Sequence, residues 1–149
     1  MILVGIDTGV HTGVAIWNTR EKKFEKIYTT KIAKAMEDVL ILHNATAEIK
    51  IFVEDARKRK WFQSSAKSKD EERKMLQGVG SVKRDAQIWE EFLTDKCIDF
   101  EMVHPKDNRT KLSAQLFAKY TKYEARTSEH SRDAAMLVFG KTSTKTILK

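Results

Sequence analysis

Asp7 ends the apolar run Met1-Ile-Leu-Val-Gly-Ile-Asp7 and is followed at once by Thr8-Gly9 and then Gly13. A carboxylate placed where a buried strand surfaces is a rigid post for a metal or a phosphate. The chain repeats the device at Ile49-Lys-Ile-Phe-Val-Glu54-Asp55, and a third acidic station follows in Glu129-His130-Ser131-Arg132-Asp133, at the mouth of an apolar helix. Each station has a plainer reading. Asp7 fits a turn-former before Thr8-Gly9. The alternation of Ile49, Ile51 and Val53 sets Glu54 on the other face with Lys50 and Phe52, and spacing alone does not choose between Glu54 and Asp55. Glu129 and His130 suit the cap and dipole of a helix start. Asp133 interrupts a run that is otherwise small and apolar at Ala134, Ala135, Leu137 and Val138, and a bare carboxylate there needs a partner.

The stations can meet only if the elements between them allow it. Short β-rich runs at Ile2–Asp7, Gly13–Trp17 and Phe24–Thr29 predict a three-stranded meander. Apolar positions at Ile32, Ala35, Met36, Val39, Leu40 and Leu42 predict a helix over 31–44, and Ile49–Val53 is a compact fourth strand. A charged loop is expected from Ala56 to about Lys74. It passes into a helix whose apolar face is Met75, Val79, Val82, Ile88, Trp89, Phe92 and Leu93. Gly78 and Gly80 weaken that helix, so close packing on the sheet or on another backbone is the expected reason for them. A fifth strand is read at Ile98–Val103, with helices at Thr110–Tyr120 and Glu129–Phe139, Gly140 as a stop, and a polar tail over 141–149. Strands one and four need crossover connections, which makes them adjacent and parallel in a mixed five-stranded sheet covered by helices on both faces. The α/β class follows, and with it a ligand site at the carboxyl ends of those strands, where Asp7 and Glu54 fall.

At 149 residues the expectation is a single domain, 1–149, with a sufficient core. The one cysteine, Cys97, excludes an internal disulfide, fits a reducing compartment and reads as an inert core thiol. No run is long enough for a membrane span and the start does not read as a secretory leader, which points to the cytoplasm. The 28 Lys and Arg against 21 Asp and Glu leave a net charge of +7, which favours a polyanionic partner.

The order β-β-β-α-β-α-β-α-α, with acids ending strands one and four and another on the last helix, resembles the ribonuclease H fold. Within it the chain is similar to the RuvC-like Holliday junction resolvases, on Gly5-Ile6-Asp7-Thr8-Gly9 with Gly13, on Phe52-Val53-Glu54, and on His130-Ser131-Arg132-Asp133-Ala134-Ala135. The resemblance implies a crossover junction endodeoxyribonuclease. Asp7, Glu54, His130 and Asp133 would be its catalytic and metal-binding residues, with two Mg²⁺ ions, replaceable by Mn²⁺, for phosphodiester hydrolysis. Thr8 stands where bacterial members commonly have proline, and the fourth ligand is His130 in place of an acid; the short chain is reminiscent of phage-encoded members. The family also implies a homodimer through the helix from Gly78 to Leu93, with branched DNA as the partner. Other readings are a RuvC-like RNA-processing nuclease and, from a different class, an actin-like or sugar-kinase-like phosphate-binding domain.

Eight bases lie between Ala56 and Lys74 against Asp70, Glu71 and Glu72, so about five of the seven net charges sit in one stretch. Arg57, Lys58, Arg59 and Lys60 are expected to hold DNA phosphates there. Trp61 and Phe62 suit either stacking at the junction centre or anchoring of the loop. Lys106, Arg109 and Lys111 resemble the basic residues that family members place after strand five, near the scissile phosphate.

Overall fold

The computed structural model describes residues 1–58, 68–107 and 111–142. Three strands, β1 (Ile2–Asp7), β2 (Thr12–Asn18) and β3 (Lys23–Thr30), form the meander, and α1 (Ile32–Ala45) crosses over to β4 (Ile49–Glu54). A short 3₁₀ turn at Ala56–Lys58 precedes α2 (Lys69–Asp95), which leads to β5 (Phe100–Val103); a second such turn at Pro105–Asp107, then α3 (Ala114–Thr121) and α4 (Glu129–Val138), complete the order. The sheet runs β3-β2-β1-β4-β5. β1 pairs antiparallel with β2 and parallel with β4, and β4 pairs parallel with β5.

Alternation along the strands divides the core between the two faces. Val4, Ile6, Ile51 and Val53 pack with Ala35 and Val39 of α1 and with Trp89 and Leu93 of α2. Leu3, Ala15, Trp17 and Phe52 pack with Phe117 of α3 and Ala134–Val138 of α4. By the same parity Gly5 and Asp7 follow Leu3 onto the α4 face, and Glu54 follows Phe52 there.

α4 lies unusually close to this face. A Cβ added to Gly5 would stand 2.0 Å from the Ala134 carbonyl oxygen, and one added to Gly13 would stand 2.0 Å from the His130 carbonyl oxygen. Gly13 is the β2 partner of Asp7. These two glycines let a helix backbone rest on a sheet backbone at the level of the first acid.

Several boundaries and roles differ from expectation. Ser68 caps α2 by accepting from the Glu71 N–H, so residues 69–74 of the expected loop are helix, and Asp70, Glu71 and Glu72 stabilise its N-terminal dipole. A Cβ added to Gly78 or Gly80 would meet no atom within 4 Å among the described residues, so the expected close packing on the sheet is not seen at either glycine. β5 starts two residues late because the Ile98 N–H is taken by the Leu93 carbonyl at 3.0 Å, in the turn that ends α2. Cys97 occupies that turn with φ 55° and is exposed, not a core thiol. α3 starts later than expected, at Ala114, where the Ser113 side chain accepts from the Leu116 N–H. Gly140 has φ 73° directly beyond α4, as a helix stop requires.

Candidate active site

Register brings the first two acids side by side. Ile6 of β1 is opposite Val53 of β4, so Asp7 and Glu54 end neighbouring parallel strands one residue later. The turn after β1 is tied down by two hydroxyls: Thr8 Oγ1 donates to the Glu54 carbonyl at 3.4 Å and Thr12 Oγ1 donates to the Gly9 carbonyl at 2.9 Å. Thr8 thus links the two acid-bearing strand ends through a side-chain bond that proline could not make.

The third station arrives from above on α4. Ser128 and Ser131 form a reciprocal capping box, which fixes the first turn and the rotation of the helix. His130 and Asp133, one turn apart, then face the sheet end. His130 Nδ1 lies 3.0 Å from Asp7 Oδ2, and the His11 ring, on the β1–β2 turn, lies 6.4 Å from the His130 ring. Asp133 Oδ2 lies 3.6 Å from Lys111 Nζ, which also reaches Glu129 Oε1 at 3.0 Å.

Electrostatics makes Asp7 the most perturbed acid. Burial, with the nearby carboxylates of Glu54 and Asp133 adding to it, pushes its pKa up from 3.8 to about 7 against the opposing hydrogen bond from His130. Asp133 is also raised, first by burial, with Lys111 working the other way. Asp7, Glu54 and Asp133 lie near enough to feel one another's charge, and Asp7 and Asp133 are held toward the neutral form, which favours a cation between them. The donor set, three carboxylates and an imidazole, suits Mg²⁺ or Mn²⁺. Among the described residues no three of the Asp, Glu, His and Cys side chains are already gathered to hold one ion. Asp7 is instead paired with His130, and Asp133 with Lys111.

Asp55 points elsewhere. Its carboxylate receives Arg57 Nε at 2.8 Å and Nη2 at 2.9 Å, and the same guanidinium reaches Glu90 Oε2 of α2 at 2.8 Å. Burial opposes its ionisation, but the Arg57 side chain and backbone N–H hold its pKa below the usual range. The structure therefore separates the pair that spacing left open: Glu54 lies toward α4 and Asp7, whereas Asp55 is committed to Arg57 and α2.

Of the expected DNA contacts, Arg57 is engaged in that network, and its guanidinium is not turned out to a ligand. Lys58 is exposed and donates to the Met102 carbonyl of edge strand β5 at 2.7 Å. Lys111 stands at the acids. Arg59, Lys60, Trp61, Phe62 and Arg109 lie outside the described residues, as does the side chain of Lys106. Sequence reasoning missed Thr8 as a cross-strand link, His11 as a neighbour of His130, and Arg132. The Arg132 Nε donates to the Leu112 carbonyl at 3.0 Å, and its Nη1 donates to the Thr127 carbonyl at 3.1 Å and hydroxyl at 3.2 Å. Its contacts lie 20 and 5 residues away, and no local pattern announces them.

No family model matches the chain, and no curated protein sequence is significantly similar to it. Among solved structures it matches T. thermophilus RuvC in complex with Holliday junction substrate, with a TM-score of 0.57 over 93% of this chain and 90% of that chain, at 18% identity. A likeness at that identity is one of fold: the chain has the ribonuclease H-like fold of RuvC.

Proposed function

We propose that the chain is a structure-selective, Mg²⁺-dependent DNA endonuclease that resolves four-way junctions as a homodimer. The observation that carries the reading is the meeting of Asp7, from the end of β1, with His130 of α4 beside Glu54 and Asp133, which leaves Asp7 shifted to about 7 by burial and by its acidic neighbours. Such a cluster is costly without a cation and is what two-metal phosphodiester hydrolysis needs.

Asp7, Glu54 and Asp133 would hold the ions, with His130 as a fourth ligand. When bound, a pair of Mg²⁺ ions supplies activation of water on one side of the phosphorus and stabilisation of the leaving 3′-oxygen on the other. The chain does the rest. The hydroxyls of Thr8 and Thr12 fix the turn that presents Asp7, and the capping box fixes the angle from which Asp133 and His130 approach. Lys111 offers a positive charge at the mouth of the site for a phosphate oxygen.

The net charge of +7 supports a nucleic-acid substrate. A two-fold axis would suit a substrate that must be cut on two strands. Cleavage of matched four-way, forked and linear DNA, and of structured RNA, by the purified chain with Mg²⁺ tests the proposal. Four-way DNA is expected to be cut preferentially and symmetrically. Equal cutting of linear DNA, or preference for RNA, would overturn the assigned substrate while leaving the acids in their role.

A further inference from the structure

Arg132 makes three hydrogen bonds to two separate segments, one leading into α3 and one leading into α4. Leu112, whose carbonyl it holds, directly follows Lys111. Thr127, whose carbonyl and hydroxyl it holds, directly precedes the Ser128 cap. One planar guanidinium thus staples the Lys111 backbone to the mouth of the helix that carries Asp133, a geometry a rigid fork of donors suits better than a single ammonium.

Lys111 is 73% exposed, so little of the described protein packs against its side chain. A lysine side chain left to itself loses rotamer freedom when it settles on one partner. Its ammonium nevertheless spans Glu129 at 3.0 Å and Asp133 at 3.6 Å. The backbone tether shortens the search that the side chain must make.

We infer that Arg132 is a positioning residue: by fixing the 111–112 backbone it keeps Lys111 at Asp133 as a built-in counter-cation that competes with the divalent ion for that carboxylate. This inference rests on the metal-dependent reading of the site. An ammonium and a divalent ion drawn to the same carboxylate repel each other, so the ion binds Asp133 against the Lys111 charge, and metal loading is weaker than the carboxylates alone would give. A phosphate arriving at the mouth draws the ammonium the other way, so substrate and ion favour each other's binding.

Calorimetric titration of Mn²⁺ into the full, DNA-free chain tests this, with each variant's thermal midpoint measured alongside. Lys111→Met is expected to bind Mn²⁺ about two- to fivefold more tightly, the range that loss of an exposed ion pair allows. Arg132→Met should tighten binding by a similar factor, and Arg132→Lys by less. The double variant should be no tighter than Lys111→Met, because both changes act through one ammonium. If Lys111→Met tightens binding and Arg132→Met does not, the positioning role is overturned and the metal reading stands. Additive tightening in the double variant also overturns it, since Arg132 would then act by its own charge. Wild type and Asp133→Asn binding Mn²⁺ alike, or neither binding it, would instead sink the metal reading. Should Arg132→Met prove unfolded, Arg132→Lys and Thr127→Val carry the same comparison, and affinities equal to wild type in both overturn the inference.

Discussion

Helix α4 has ten residues, six of them buried, whereas α2 has 27 with four buried, all from Asp85 onward. The two helices pack on opposite faces of one sheet, and glycine means opposite things beside them. Gly5 and Gly13 lie under α4 and admit its backbone to within contact of the strands. Gly78 and Gly80 lie within α2, where the space around each is open among the described residues. The helix that brings His130 and Asp133 to a strand end is seated by main chain on main chain. A helix whose first half carries charge has no such seat among the described residues, where its glycines lower its helical propensity without a packing return.

The comparison breaks most visibly at the acids that α4 completes. Asp7→Asn keeps the shape and the His130 contact but removes a charge, and cleavage in Mg²⁺ is expected to fall by about a hundredfold or more while junction binding in a gel-shift assay changes little. Near wild-type cutting would remove Asp7 from the site.

Substitution of the seating glycines comes next. Gly13→Ala places a methyl at a backbone carbonyl that no rotamer change can move, so urea unfolding should show a loss of about 3 kcal/mol or more, and α4 can recover only by lifting from the sheet. A loss below about 1 kcal/mol would show that the helix is not held this tightly.

The pH dependence follows from Asp7. Its pKa is about 7 in the folded chain against an ordinary 3.8, raised first by burial. Between those values the folded chain keeps a proton that the unfolded chain has released, so this group's contribution to stability falls as pH rises through that window and stays low above it. In EDTA at about pH 8, Asp7→Asn should therefore be more stable than wild type by about 1–3 kcal/mol, with the gap closing toward about pH 4. Mg²⁺ should narrow the gap from the wild-type side. A gap that widens on acidification would contradict the sign.

The smallest effect is expected in α2, where Gly78→Ala and Gly80→Ala should each raise stability by about 0.5–1 kcal/mol. Destabilisation by either would mean that something covers this stretch in solution, and sedimentation at several concentrations would show whether a second copy does.

Much of the fold is legible in the sequence because its signals are local. The β-β-β-α-β order, the parallel pairing of β1 with β4 and the acids at their ends follow from short apolar runs and crossover rules. What is not legible depends on distant or non-periodic contacts. The basic run around Arg57 gives no sign that Asp55, two residues before it, and Glu90 on α2 both hold its guanidinium. The stretch 69–74 reads as loop because it is charged throughout, although Ser68 and the acids after it form a good helix start. Gly5 and Gly13 are visible as motif residues, but only the approach of α4 shows what they exclude.

That approach bears on how such a site withstands sequence drift. The separation of Asp7 from Asp133 is set where two backbones touch, not by the volumes of the side chains packed around them. Exchange of Leu3, Phe52 or Leu137 for other apolar residues is expected to cost some stability while the two backbone contacts keep the helix at the same height above β1 and β2. Substitution elsewhere in the core can then accumulate and leave the spacing of Asp7 and Asp133 unchanged, provided the two positions without side chains stay empty.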